Sequence, residues 1–370
     1  MSVYSSEAHV GAFFNVIALL QNALDTPTVW SSMDFSGKLA GILLVVVGCD
    51  ARKVMAQYHQ NMFFGRIVNL TKISSSPQAI IPFGLSEGFD KNEMIDEHTK
   101  QSGTFLNLLA LRDGKVTLKS PDGKDLTVHL VVSVDGAARK ELSGRTPYTA
   151  THPLTWNHLN RTDVKNVHKF APITLNQENM KPHRPDPTLT LQQRKAWSRE
   201  HFGVFAENPT GLDMIHFLPE LLHRKMLIFN RLMAMTIKSI ELDENTDVAT
   251  FYAHCRDPEC LGLRYDFGYV DSEGLVSSNL KGNACEKLRY QCHRIVHCKK
   301  HALMTTEDQR DAITRVWLHF DRLLDDDANR DPKLAVSFSE YFTMTHRALL
   351  VGVAVWGPDF ITPTLVHIRG

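Results

Sequence analysis

The chain has 370 residues, 43% of them hydrophobic, with 41 Lys+Arg against 41 Asp+Glu. That is enough apolar material for one large or two ordinary domains with buried cores, which excludes wholesale disorder. A net charge of zero supplies no overall field toward polyanions, so any contact with nucleic acid has to come from a local basic patch. No stretch approaches the ~18 consecutive apolar residues that a membrane span needs. The opening MSVYSSEAHV also lacks the basic start and apolar run of a secretory signal. The expected compartment is therefore intracellular and reducing, where six cysteines fit free thiols or metal ligands better than a disulfide framework.

In chain order, Val10, Phe13, Phe14, Ile17, Ala18 and Leu20 fall at helical spacings and predict an opening amphipathic helix over 9–24. Gly41-Ile-Leu-Leu-Val-Val-Val47, ending in Gly48-Cys49-Asp50, predicts a strand buried on both faces with a polar end, where α/β proteins place chemistry. Further strands are expected over 63–70 and 79–83, then a helix over 90–111. A hairpin follows, its arms 116–119 and 126–134 flanking the turn signal Pro121-Asp122-Gly123 and ending at Asp135-Gly136. Residues 145–188 hold six prolines and little periodicity and read as an irregular insertion. Helical patterning returns over 189–201 and over 213–240, the latter with a broad apolar surface. A Cys/His-rich stretch from His254 to His301 comes next, and helices near 307–324 and 338–351 close the chain.

Three aspartates stand where chemistry is expected: Asp50 and Asp135 at strand ends, and Asp213 at the start of the 213–240 helix. Two-metal phosphoryl transfer needs carboxylates converging from different elements. Strand-end aspartates also form turns, and an Asp ahead of a helix also caps it.

The stretch LLVVVGCDARKVMAQYHQNMFFGRIVNLT resembles the first catalytic strand of the ribonuclease-H-like DDE transposase superfamily, the branch of Transib elements and the V(D)J recombinase catalytic subunit. GLDMIHFLPELLHRKM is similar to the Asp-x-x-His helix start of the same families, and DLTVHLVVSVDGAARKELSG followed by HPLTW is similar to their strand ending in an acid. The resemblance covers roughly residues 40–240. It implies a mixed α/β fold with a ribonuclease-H-like core, and a two-metal site for Mg²⁺ or Mn²⁺ using Asp50, Asp213 with His216, and Asp135. It also implies DNA as substrate and a nuclear location. Two departures count against full activity. Leu-Thr-Trp-Asn occupies 154–157 where relatives often carry paired cysteines, and the family's late-helix glutamate has no obvious carrier, Glu340 being the nearest substitute.

Five of the six cysteines lie between Cys255 and Cys298, among His254, His293, His297 and His301. If one helix runs from Ala284 to His301, its histidines at every fourth position share a face. Cys255 and Cys260 with His297 and His301 then form a C-x4-C and H-x3-H set suited to tetrahedral Zn²⁺, and Cys292 could replace either histidine. The alternative is a set of buried thiols beside a solvated histidine face.

Arg194, Lys195 and Arg199 around Trp197 could form a local cationic face, although most such groupings are solvated helix faces. The sequence has no GxGxxG ahead of a helix, no P-loop and no GxSxG, which leaves nucleotide-cofactor and serine-hydrolase chemistry without support. The expected plan is an N-terminal helical segment (1–35), a core (36–145), an irregular insertion (146–190), core continuation (191–245), a Cys/His-rich insertion (246–305) and C-terminal helices (306–370). The expected function is transposase-derived DNA processing, impaired in cleavage, with weak DNA binding. The alternative is a non-catalytic, zinc-stabilised interaction or nucleic-acid-binding protein, with a protein partner or homodimer and no membrane contact.

Overall fold

In the computed structural model the described residues are 2–5, 10–55, 58–70, 79–87, 103–134, 136–145, 150, 162–163, 185–186, 188–201, 203–206, 208–213, 216–219, 221–243, 247–263, 269–270, 276–277, 280–298, 300–301, 303–304, 306–328, 338–362 and 365. The protein is mixed α/β and divides into two compact units: Met1–His158 with Leu175–Glu220, and Leu159–Thr174 with Leu221–Gly370.

The first unit is built on a mixed sheet. Strands β1 (Ser2–Ser5) and β2 (Val10–Phe13) form an antiparallel pair, so Val10 and Phe13 belong to a strand and not to the expected opening helix. Pairing of β2 with a later strand outweighs the helical spacing. Helix α1 (Val16–Asp25) starts where Asn15 accepts the Ala18 N–H at 3.1 Å, and it buries Val16, Leu20 and Leu24. The central strand β3 (Ile42–Met55) runs well past the apolar stretch that announced it. Leu43, Val45 and Val47 are fully buried, whereas Leu44 and Val46 between them are half-buried, so one face is sealed more completely than the other.

Antiparallel β4 (Tyr58–Ile67) and β5 (Ile80–Glu87) complete a meander on one side of β3. Helix α2 (Thr104–Arg112) buries Phe105, Leu108 and Leu111, and Phe105 meets Phe63 of β4 edge-on at 6.2 Å. The remainder of the helix expected over 90–111 lies outside the described residues. The expected hairpin is present as β6 (Leu118–Lys119) and β7 (Asp125–Val134). β7 alternates buried Leu126, Val128, Leu130, Val132 and Val134 with outward residues, and it pairs in parallel with β3, Val45 beside Leu130 and Val47 beside Val132.

After β7 come helix α3 (Gly136–Ser143), helix α4 (Leu191–Glu200) with a Thr190/Gln193 capping box, and the short strand β8 (Phe217–Pro219), parallel to β7. Along the sheet the order is β1-β2-β5-β4-β3-β7-β6, with β8 also on β7.

Buried Asn69 locks the approach to β3. Its Oδ1 accepts the Leu44 N–H at 2.9 Å, and its Nδ2 donates to the Ile42 carbonyl at 2.9 Å and the Asp34 carbonyl at 3.1 Å. Three backbone groups that would otherwise be stranded at the start of the strand are thereby satisfied.

The second unit is largely helical. Helix α5 (Leu221–Glu241) begins eight residues later than Asp213, because Phe217–Pro219 is drawn into the sheet as β8. Helix α6 (Val248–Arg256), the two-residue strands β9 (Tyr269–Val270) and β10 (Val276–Ser277), helix α7 (Gly282–Arg289), α8 (Glu307–Ala328) and α9 (Phe338–Trp356) follow. Its core joins Ile228, Phe229, Leu232 and Met233 of α5 to Val316, Trp317 and Phe320 of α8. Phe229 and Trp317 stack at 5.6 Å, and the buried indole N–H of Trp317 donates to Thr236 Oγ1 at 3.0 Å. Among the described residues no helix is long and apolar enough to cross a membrane.

Candidate metal centre

The one place where metal-ligating side chains converge lies, among the described residues, in the second unit. Asp247 caps α6 by accepting the Ala249 N–H at 3.1 Å, and Pro258 prevents the helix from continuing past Asp257. The chain then folds tightly back. The Asp257 carboxylate accepts the Glu259 N–H at 2.9 Å, and its carbonyl accepts the N–H groups of Cys260 at 3.0 Å and Gly262 at 2.8 Å. Gly262 has φ +56°, with Pro258 Cα 3.2 Å from where a Cβ would stand, so the return requires glycine. Cys260 is thus brought beside His254, the buried residue one turn before the end of α6.

The other half comes from the segment after α7. That helix ends at Arg289 and a 3₁₀ turn covers Cys292–Arg294, so the single helix expected over 284–301 is absent, and His297 and His301 share no helical face. Cys298 instead enters the cluster from a non-helical segment, its Sγ 2.6 Å from Cys260 Sγ. Ligand atoms of His254, Cys260 and Cys298 all lie within 4.8 Å of one another, as do those of Asp257, Cys260 and His301. Such a His/Cys set could hold a metal such as zinc.

The hydrogen bonds decide which nitrogen of His254 is available. Its Nε2 lies 3.1 Å from the Arg294 carbonyl, which can only accept, so Nε2 carries the proton and Nδ1 keeps its lone pair. That Nδ1 is buried without a hydrogen-bond partner, and so is His301 Nε2, 3.5 Å from Asp257 Oδ2. Burial pushes His254 down to about 4, against the opposing pull of the Arg294 and Ile295 backbone, which keeps the ring neutral as a ligand must be.

The two thiols differ. Burial and the Cys298 contact raise Cys260. Burial would raise Cys298 too, but the Cys260 hydrogen bond and the backbone N–H groups of Lys300 and His301 bring it below its usual value. Lys300 Nζ, 2.7 Å from Asp257 Oδ2, holds that carboxylate down to about 2, with help from the Glu259 N–H.

Of the expected metal ligands, Cys260 and His301 belong to these two groups, and Cys255, Cys292 and His297 do not. Cys255 is buried on α6 and Cys292 donates to the Leu288 carbonyl at 3.2 Å; burial drives both thiols far above their ordinary range. His297 faces Asp311, with Nε2 3.6 Å from Oδ1. Sequence reasoning missed His254, Asp257 and Cys298 as members. The signal was present as two short pairs, His254-x5-Cys260 and Cys298-x2-His301, which the assumed helix over 284–301 obscured.

Of the three aspartates, Asp50 and Asp213 are among the described residues, both in the first unit. Asp50 is exposed on β3, opposite Met62 of β4 and three residues beyond the Val47–Val132 pair. Asp135 follows β7 in sequence and lies outside the described residues.

Asp213 does not begin the long helix. It precedes β8, its carbonyl accepting the His216 N–H at 3.0 Å, while His216 Nδ1 donates to the Leu130 carbonyl at 2.8 Å. Leu130 is level with Val45. Phe217 is level with Val132 and Val47, so at about 3.3 Å per residue His216 stands roughly 13 Å short of Asp50 along the strands. Asp213 is tied to His216 by a single turn, and Asp50 lies within β3, which continues to Met55. Glu340 is exposed in the first turn of α9, in the second unit. On α4, Trp197 stacks on His201 at 3.8 Å, with exposed Lys195 and Arg199 beside it.

No protein-family model and no curated protein sequence matches the chain. Residues and geometry alone carry any functional reading.

Proposed function

We propose that this chain is a transposase-derived DNA-processing protein with a ribonuclease-H-like core, in which Asp50 holds a catalytic divalent cation, Mg²⁺ or Mn²⁺. Strand order supports the reading. A three-stranded antiparallel meander (β3, β4, β5) is followed by helix α2, the short strand β6, a strand parallel to the first (β7), helices α3 and α4 and a further parallel strand (β8), with β5, β4, β3 and β7 adjacent in that order and both β6 and β8 on β7. This is the arrangement that the family resemblance implies, with its first acid on the first strand. Asp50 occupies that position, and Asp135, next in sequence after β7, is the second carboxylate of this reading. The exposed carboxylate of Asp50 is a hard oxygen donor that suits Mg²⁺ and Mn²⁺, which when bound activate the attacking oxygen and stabilise the leaving one.

Cleavage on this reading is weak. The late-helix glutamate of the resemblance has no carrier closer than Glu340, and the zero net charge draws no DNA from a distance. A structural Zn²⁺ at the His/Cys cluster completes the proposal.

The test is divalent-ion binding and nicking of supercoiled DNA at low salt with Mg²⁺ or Mn²⁺. The reading expects slow nicking and ion binding that Asp50→Asn removes and Asp213→Asn spares. Absence of both nicking and Asp50-dependent ion binding would refute it. The missing late-helix glutamate favours one second reading, a non-catalytic interaction protein that keeps the fold, and that outcome would select it.

A further inference from the structure

We infer that His254 Nδ1, Cys260 Sγ, Cys298 Sγ and His301 Nε2 form a closed four-ligand Zn²⁺ site that fastens the loop after α6 to the segment following the Cys292–Arg294 turn. The inference deepens the structural-ion part of the proposal above and is independent of the phosphoryl-transfer part.

Four observations carry it. First, the two ligand groups share Cys260, and since the four proposed ligand atoms do not all lie within 4.8 Å of one another, His301 closes in on an ion held by His254, Cys260 and Cys298. Second, the two nitrogens required are buried ring nitrogens: His254 Nδ1, which has no hydrogen-bond partner, and His301 Nε2, whose neighbour is Asp257 Oδ2 at 3.5 Å. A buried ring nitrogen without a partner costs free energy that coordination would recover.

Third, His254 donates its other nitrogen to a backbone carbonyl, the outer-sphere contact that fixes the tautomer of metal-bound histidines. Fourth, the scale is right. Zinc bonds of ~2.0–2.3 Å give ligand–ligand edges of about 3.3–3.8 Å and place two coordinated imidazole centroids about 5 Å apart. The His254 and His301 centroids are 6.1 Å apart, and each group's ligand atoms lie within 4.8 Å. The thiols, 2.6 Å apart, part by about 1 Å as they take up the ion.

Asp257 also reaches the site, but its carboxylate is already satisfied by Lys300 Nζ and the Glu259 N–H, so it positions the loop while His301 ligates. Charge balances. Zn²⁺ displaces the two thiol protons to solvent, and two thiolates with two neutral imidazoles leave the buried site uncharged. Four protein ligands leave no open position, which makes the ion structural.

The experiment is metal analysis of the full-length protein with X-ray absorption at the zinc edge, on wild type, Cys260→Ser, Cys298→Ser, His254→Gln and the control His297→Gln. The expected result is one zinc per chain in wild type and His297→Gln, a two-sulfur, two-nitrogen shell, and loss of most of the metal from the other three. Should those three fail to fold, the wild-type shell and the His297→Gln occupancy still decide. Metal-free wild type, a Cys260–Cys298 disulfide in the intact protein, a shell with other than two sulfurs, or zinc lost from His297→Gln would each overturn the assignment. None of these outcomes depends on whether the protein nicks DNA.

Discussion

The two units carry their chemistry in opposite places. In the sheet unit Asp50, the proposed cation ligand, stands exposed on β3, beyond the buried Leu43, Val45 and Val47. In the helical unit His254 and Cys260 are themselves buried, and the loop that presents them is held by its own backbone hydrogen bonds. A group at the rim of a core can be removed at little cost to the fold, whereas a buried group with orphaned polar atoms belongs to the fold.

Four expectations follow from that contrast, in falling order of size. Stripping the metal from the helical unit is the largest. A site with zinc at about 1,000 times its dissociation constant contributes about 4 kcal/mol. Chelation should therefore lower the melting temperature by roughly 10 °C in calorimetry, and an unchanged transition would erase the contrast.

Next is Asn69→Ala in the sheet unit, which strands the Leu44 N–H and the Ile42 and Asp34 carbonyls. Urea unfolding should show a loss of about 3 kcal/mol. Gly48→Ala is smaller. Its new Cβ would stand 2.3 Å from Cζ of Phe64, the residue directly opposite on β4, and the overpacking should cost about 2 kcal/mol in the same measurement. The smallest effect belongs to Asp50→Asn, expected within about 0.5 kcal/mol of wild type. A large loss there would mean that Asp50 is part of the scaffold.

How far the sequence revealed each unit follows from the physics of its elements. The apolar run at 42–47 and the Pro121-Asp122-Gly123 turn announce β3 and the β6–β7 hairpin, because strand burial and turn chemistry are local signals. The polar continuation of β3 through Asp50 to Met55 was not legible, since those residues enter the strand through pairing with β4. Phe217-Leu218-Pro219 joined the helical pattern of 213–240 in the sequence; only its parallel pairing with β7 makes it a strand, and that moves Asp213 out of the helix start.

In the Cys/His region composition pointed to the right stretch and to Cys260 and His301, but the partners were misjudged. No Gly or Pro marks the end of α7, so the sequence concealed a break that returns Cys298 toward Cys260 across some 38 positions.

The central proposal is that Asp50, exposed within β3, is a metal-binding carboxylate. Mn²⁺ titration followed by electron paramagnetic resonance, on wild type, Asp50→Asn and Asp213→Asn, tests it most directly. The claim predicts Mn²⁺ binding in wild type and Asp213→Asn and its loss in Asp50→Asn, with all three proteins equally folded. Binding that persists in Asp50→Asn, or that is absent from wild type, would contradict it.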